Sequence, residues 1–273
     1  EMNGVAVTQN TNAFNIGRKV VSDPHWVDTI NLYRSGSLAS KPVLSSEALS
    51  LIDSISPDDE LRKILEHRTQ ELIEYQNLSY AKEYMSFVGN IFEKEQKTRS
   101  SSELSQNVAK YLFKLMATKD EYEVARLSLK AELDSAINKE FGKSAKISYM
   151  LHPPFLKAME NIPILNMLPG VKSKLALGSW FKVFYVMLKN MKFLRGTPFD
   201  FMAWFSNDVR KADRKALNHY KSILSNNIDE IGNGKYQDLK EFYILPDIIR
   251  GYEEVRLETM DEFYLKSNNL FKS

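Results

Sequence analysis

Apolar residues recur along most of this chain at three- and four-residue steps, the period of a helix with one buried face. Leu61, Ile64, Leu65, Leu72, Ile73, Tyr75, Tyr80, Tyr84, Val88, Ile91 and Phe92 keep that step after Ser56-Pro57-Asp58-Asp59-Glu60. This leader joins a cap residue, a proline suited to the first helical position and three acids that complement the positive end of the helix dipole. Unbroken to Gln96, the helix would run about 40 residues and about 60 Å at 1.5 Å per residue, with Gly89-Asn90 as its expected break. Val108, Leu112, Leu115, Met116, Val124 and Leu127 predict a second helix. Asp208 to Ser225 predicts an amphipathic helix ended by Ile231-Gly232-Asn233-Gly234, and Leu245 to Tyr252 with Glu253 to Lys266 a helical C-terminus.

Near the start, Val5, Ala6, Ala13, Phe14, Ile16, Gly17 and Val20 have helical spacing without a start signal, so the chain reads as cut from something longer. Asp23-Pro24 then predicts a short helix ending near Tyr33. Alternation is confined to Lys146 through Leu151 and stops at Pro153-Pro154, which predicts one short strand. The expected fold is mainly α, a multi-helix domain with one long helix and at most a minor β element. The Ser-rich stretch 35–56, with Gly36 and Pro42, is the expected linker between a segment 1–34 and a helical domain 57–273.

Composition narrows the function classes. Gly and Pro number only 11 and 9 in 273 residues, so turns are few and the elements between them long. The absence of Cys removes disulfides, thiol nucleophiles and the usual thiolate ligands of an iron–sulfur cluster. With no cleavable apolar leader visible, a cytoplasmic location is expected. The longest apolar run, Leu175 to Leu188, contains Lys182 and falls short of the ~20 residues a spanning helix needs, so no membrane span is expected. Lys and Arg total 37 against 35 Asp and Glu, a balance that argues against a nucleic-acid partner.

Two groups of charges depart from the helical pattern. Lys119 and Asp120 fall beside or inside the apolar stripe of the second predicted helix, with Glu123 and Arg126 one turn on. Paired at i,i+3 and i,i+4, they form either a solvated helix flank or an internal ionic network or docking face. Between Glu160 and Asp200 there is no acid, while Lys172, Lys174, Lys182, Lys189, Lys192 and Arg195 stand among Trp180, Phe181, Phe184, Tyr185 and Phe193. Lys172, Lys174, Lys189, Lys192 and Arg195 could present one basic face to an acidic protein, a phosphate or a membrane surface. The alternative is a buried aromatic helix whose lysines snorkel outward. No catalytic, cofactor or metal-ligating constellation is found: His25, His67, His152 and His219 are dispersed, and the H-E-x-x-H, G-x-G-x-x-G and G-x-S-x-G patterns are missing.

Several segments nevertheless resemble one family. Val108 to Leu127, VAKYLFKLMATKDEYEVARL, is similar to the LFKLMAYKDEYEVARL block in the C-terminal region of long, fused indolepyruvate ferredoxin oxidoreductases. Tyr75-Gln76 with Tyr80-Ala81-Lys82, Leu194-Arg-Gly-Thr-Pro-Phe-Asp200, Leu245-Pro246 and Ile249-Arg250-Gly251 resemble further parts of it, and Asn10 to Arg18 looks like the end of its gamma-type domain. The resemblance implies that segment 1–34 closes a gamma-type domain and that the parent is a 2-oxoacid:ferredoxin oxidoreductase. Such an enzyme uses thiamine diphosphate to decarboxylate an aryl pyruvate, passes electrons through iron–sulfur clusters to ferredoxin and transfers the acyl group to coenzyme A. By the same resemblance, thiamine and cluster sites belong to upstream domains, this chain holds no cofactor, and its partners are those domains, with ferredoxin or coenzyme A as further candidates. Two motifs depart from the family. Tyr149 to Pro154 replaces F-H-L-A-P-P, and Glu253-Glu254-Val255-Arg256 replaces G-H-V-K, so no histidine role carries over at either place.

Overall fold

A computed structural model describes residues 7–23, 43–142, 147–151, 175–205, 207–232, 236–251 and 253–271. The chain divides into two units, Glu1–Val43 and Leu44–Ser273. In the first, the expected N-terminal helix is present as α1 (Val7–Ser22), with Phe14, Ile16 and Val21 exposed. The short helix expected after Pro24 and residues 35–42 of the expected linker lie outside the described residues.

The second unit opens with α2 (Ser46–Asp53), capped by Ser45, whose hydroxyl accepts from the Ala48 amide at 3.2 Å. Ala48 and Ile52 are fully buried, so the later part of the Ser-rich stretch contributes a core helix. The 57–96 pattern is two helices, α3 (Asp59–Tyr75) and α4 (Leu78–Arg99). Asp58 rather than Ser56 caps α3, accepting from Leu61 N at 2.9 Å, and Asn77 caps α4, accepting from Tyr80 N at 2.9 Å. The break therefore falls at Gln76-Asn77. Gly89 lies inside α4 for a packing reason: a Cβ there would sit 2.8 Å from Ile55 Cγ2.

The second predicted helix is likewise two, α5 (Glu103–Met116) and α6 (Glu121–Ser128). The first turn of α5 is closed by a fully buried carboxylate of α4: Glu95 accepts from Leu104 N and Ser105 N, each at 2.9 Å, and from Ser105 Oγ at 2.6 Å. After α7 (Ala131–Phe141), β1 (Tyr149–Leu151) pairs antiparallel with β2 (Leu175–Leu177), Met150 opposite Ala176. This two-stranded pair is the minor β element, although β2 was hidden within the apolar run 175–188. A 3-10 turn, Ser179–Phe181, leads into α8 (Lys182–Asn190), followed by a 3-10 turn at Met191–Leu194, α9 (Phe201–Phe205) and α10 (Asn207–Asn226). The chain ends through α11 (Tyr236–Ile244) and α12 (Glu253–Leu270). The fold is mainly helical, as expected.

Two apolar cores form among the described residues. The larger joins Leu61, Leu65 and Leu72 of α3 to Tyr84, Val88, Leu112, Tyr220, Phe242 and Phe263. Its buried hydroxyls are partly answered by backbone, Tyr84 donating to Ala109 O at 2.8 Å and Tyr220 to Tyr243 O at 2.9 Å. The smaller packs Tyr122 and Ala125 of α6 against Phe181, Tyr185 and Leu188 around α8 and Met202 of α9.

Candidate functional site

Asp120 does not intrude on a helix interior. α5 has ended at Met116, and Asp120 is the N-cap of α6, its Oδ1 accepting from the Glu123 amide at 2.9 Å. The same carboxylate receives Arg195, Nε to Oδ2 at 2.5 Å and Nη2 to Oδ1 at 2.9 Å. Such a two-pronged pair needs the planar guanidinium fork, which Lys does not have. The remaining nitrogen of Arg195, Nη1, donates to Tyr75 O at 2.6 Å and Gln76 Oε1 at 2.7 Å, and the guanidinium lies 3.8 Å above the Tyr75 ring. Lys192 Nζ donates to Glu74 O at 2.5 Å. Two cations of the acid-free stretch thus satisfy the open carbonyls at the end of α3 and oppose the negative end of its dipole.

Two further arms extend this hub. Arg210 on α10 pairs with Asp200 at 2.9 Å and with Glu121, while the Tyr122 hydroxyl donates to the other Asp200 oxygen at 2.9 Å. Asp200 is 1% exposed and also accepts from Gly196 N and Ala203 N. On the other side Arg126, 5% exposed, grips Glu123 at 2.9 and 2.7 Å, Glu74 at 2.6 Å, and Glu71. Lys130 completes Glu71 at 2.5 Å.

Burial alone would raise the Glu71 carboxyl, but Lys130 and Arg126 outweigh it and hold it below the ordinary carboxylate range. Burial works against the charge on Arg126 as well, and its hydrogen bonds to Glu123 and Glu71 carry it above the usual arginine value. For Glu121 burial prevails over Arg210 and the carboxyl is raised. Tyr75 is pushed up to about 12 by burial and then by the charge of Asp120. At neutral pH Tyr75 keeps its proton and Arg126 its charge, so the arrangement is one of fixed charges holding segments together.

Asp120, Glu123 and Arg126 of the expected network are brought together here. Lys119 is exposed and precedes α6, so the helical i,i+4 relation expected between it and Glu123 does not exist. Of the five expected basic-face residues, Lys189, Lys192 and Arg195 are described, and these three do not present one exposed face. Lys192 and Arg195 are built into the hub, Lys189 is exposed, and Lys172 and Lys174 lie outside the described residues. Glu71, Glu74, Asp200 and Arg210 were not singled out from sequence: Asp200 and Arg210 stand ten residues apart, off the helical i,i+3 and i,i+4 steps, and the other charged or hydroxyl partners of the four lie 52 to 89 residues away along the chain.

A cleft of about 220 Å³ opens beside the hub, walled by Tyr75, Tyr80, Met116, Asp120, Arg210 and Leu217 among others. The guanidiniums it shares with the hub, Arg195 and Arg210, are already answered by carboxylates. Among the described residues no group of three His, Asp or Glu side chains is arranged to hold a metal ion. His67 is exposed, while His219 is bonded at 2.8 Å to buried Ser267, and His25 and His152 lie outside the described residues. No described helix is long and apolar enough to cross a membrane.

The model of a family of unknown function, DUF6537, matches residues 61–268. The chain belongs to this family. The matched range takes in the smaller core, most of the larger one and every arm of the hub, so the charges described above are placed within the DUF6537 domain itself. No curated protein and no solved structure matches the chain.

Proposed function

We propose that this DUF6537 chain is the C-terminal, architectural part of an indolepyruvate-type 2-oxoacid:ferredoxin oxidoreductase. The observation that carries this reading is spatial. Tyr75-Gln76, the Asp120 to Arg126 part of the long block, and Arg195 to Asp200, three separate segments that resemble that family, converge on one ion-pair hub. The charges of the hub answer one another, which favours a load of holding segments in place over one of chemistry. Thiamine diphosphate and the clusters then belong to upstream domains, and a chain without Cys lacks the thiolates that an iron–sulfur cluster ordinarily requires. Ferredoxin and coenzyme A are partners of the parent enzyme under this reading.

A self-standing helical interaction module is the second reading, favoured by the exposed apolar residues around α8. Expressing this chain alone and joined to the sequence encoded in frame before Glu1 separates the two. The expected result is turnover of indolepyruvate with coenzyme A and ferredoxin by the longer polypeptide and none by this chain. An upstream frame that encodes neither a thiamine-diphosphate domain nor cluster cysteines would leave the interaction module as the better description.

A further inference from the structure

We infer that the outer face of α8 is a docking surface for another polypeptide, one presenting an apolar helix face edged by a carboxylate. The helix is apolar on two opposite sides. Phe181, Tyr185 and Leu188 are buried against α6. On the other side Trp180, Val183 and Phe193 are 66%, 77% and 67% exposed, with Val186 and Met187 about half exposed between them. Residues 179–194 run as continuous helical turns, so steps of three and four set Trp180, Val183, Val186 and Met187 in one stripe, which Phe193 extends seven residues beyond Val186, past Asn190. At ~1.5 Å per residue the stripe is about 20 Å long, the contact length of a short partner helix. Single exposed apolar residues are ordinary, whereas a row of them on one helix face marks an interaction site.

Charge selects the occupant. A bilayer surface calls for about four to eight clustered cations. Here Lys182 is held by Asp134 at 2.7 and 2.9 Å, Lys192 by the Glu74 carbonyl and Arg195 by Asp120. Among the described residues Lys189 is the exposed cation beside the stripe, and one charge at the edge is the rim of a protein interface. A second copy fits poorly, since the chain has no acid between Glu160 and Asp200 and two such faces would leave Lys189 without a carboxylate opposite. The inference does not depend on the oxidoreductase reading.

The test uses the whole chain, its tryptophan emission and a synthetic helical peptide with a leucine face and glutamate flanks. Saturable binding with a blue shift is expected. Val183→Ser combined with Met187→Ser should weaken it about tenfold or more with the melting temperature unchanged. Lys189→Glu should weaken it too and transfer preference to the same peptide carrying lysine flanks. Absence of peptide binding overturns the proposal, as does indifference to the charge reversal. Binding confined to vesicles of phosphatidylserine and phosphatidylcholine would make the face a membrane surface, and dimerisation abolished by the serine pair would make it a self-association face. A lowered melting temperature in the serine pair would show that the chain itself covers the stripe.

Discussion

Asp120 performs two tasks with one carboxylate: it caps α6 through Oδ1 and neutralises Arg195 through both oxygens. The tasks separate by substitution. Asp120→Ala removes the cap, worth ~1 kcal/mol, and leaves a largely buried guanidinium without its counter-charge, at ~3–5 kcal/mol. Asp120→Asn keeps an acceptor for the Glu123 amide and should be less damaging by roughly the value of the cap. Urea denaturation should therefore rank wild type above Asn and Asn above Ala. An Ala variant no weaker than one at an exposed pair such as Lys63 and Glu60 would mean that the hub contributes nothing. Glu95 meets burial differently, answering two amides and a hydroxyl at a helix start, with no cation hydrogen-bonded to it among the described residues.

Helix starts were legible where capping is local. The Asn207–Asn226 helix matches the Asp208 to Ser225 pattern within two residues, because its stripe and its polar face both lie within one segment. The breaks at Gln76-Asn77 and Ala117–Asp120 were not legible, since the apolar period resumes in nearly the same phase across each. What ends α3 is partly a distant chain, Arg195 and Lys192 on its last carbonyls. Gly89 shows the same dependence, as its reason is Ile55 on another element and not helix propensity. Gly89→Ala should destabilise by ~1–3 kcal/mol through overpacking, against a helix-propensity gain of up to ~1 kcal/mol. In an Ile55→Ala background the same change should become neutral or stabilising. Additive effects within ~0.5 kcal/mol across the double-mutant cycle would show that the two side chains do not meet.

The hub lies where α3 of the larger core meets α6 and the 192–200 segment beside the smaller one, so its titration should be felt by the whole unit. Glu71 has a lowered pKa in the fold, so the unfolded chain takes up this proton first as pH falls. Its stabilising contribution is complete above the ordinary value of 4.5 and is lost as pH drops below that toward the folded value. Glu121 has the opposite sign, since its raised pKa means that protonation relieves the fold. Glu71→Gln should lower the urea midpoint at neutral pH and flatten the loss of stability in the acid range. Parallel curves for wild type and variant would exclude Glu71 as a source of the acid response. Salt should change the neutral-pH difference little, because screening acts mainly on exposed charges.

By itself the amino-acid sequence determined the helical class, the cap-rich start of α3, the long α10 and the lack of thiolate chemistry, because period, caps and composition are local or countable. It also marked Lys119 and Asp120 as charges beside or inside an apolar stripe, and grouped Glu123 and Arg126 with them. The distant partners of Asp120 and Arg126 were decided only in three dimensions, where a guanidinium 75 residues from Asp120 and carboxylates 52 and 55 residues from Arg126 meet them. The acid-free stretch shows the difference most directly. Its lysines and arginine read as a surface seeking an anion, yet Lys192 and Arg195 found theirs in the carbonyls and carboxylate of the chain's own helices, since a buried cation is stable only where the fold supplies its partner.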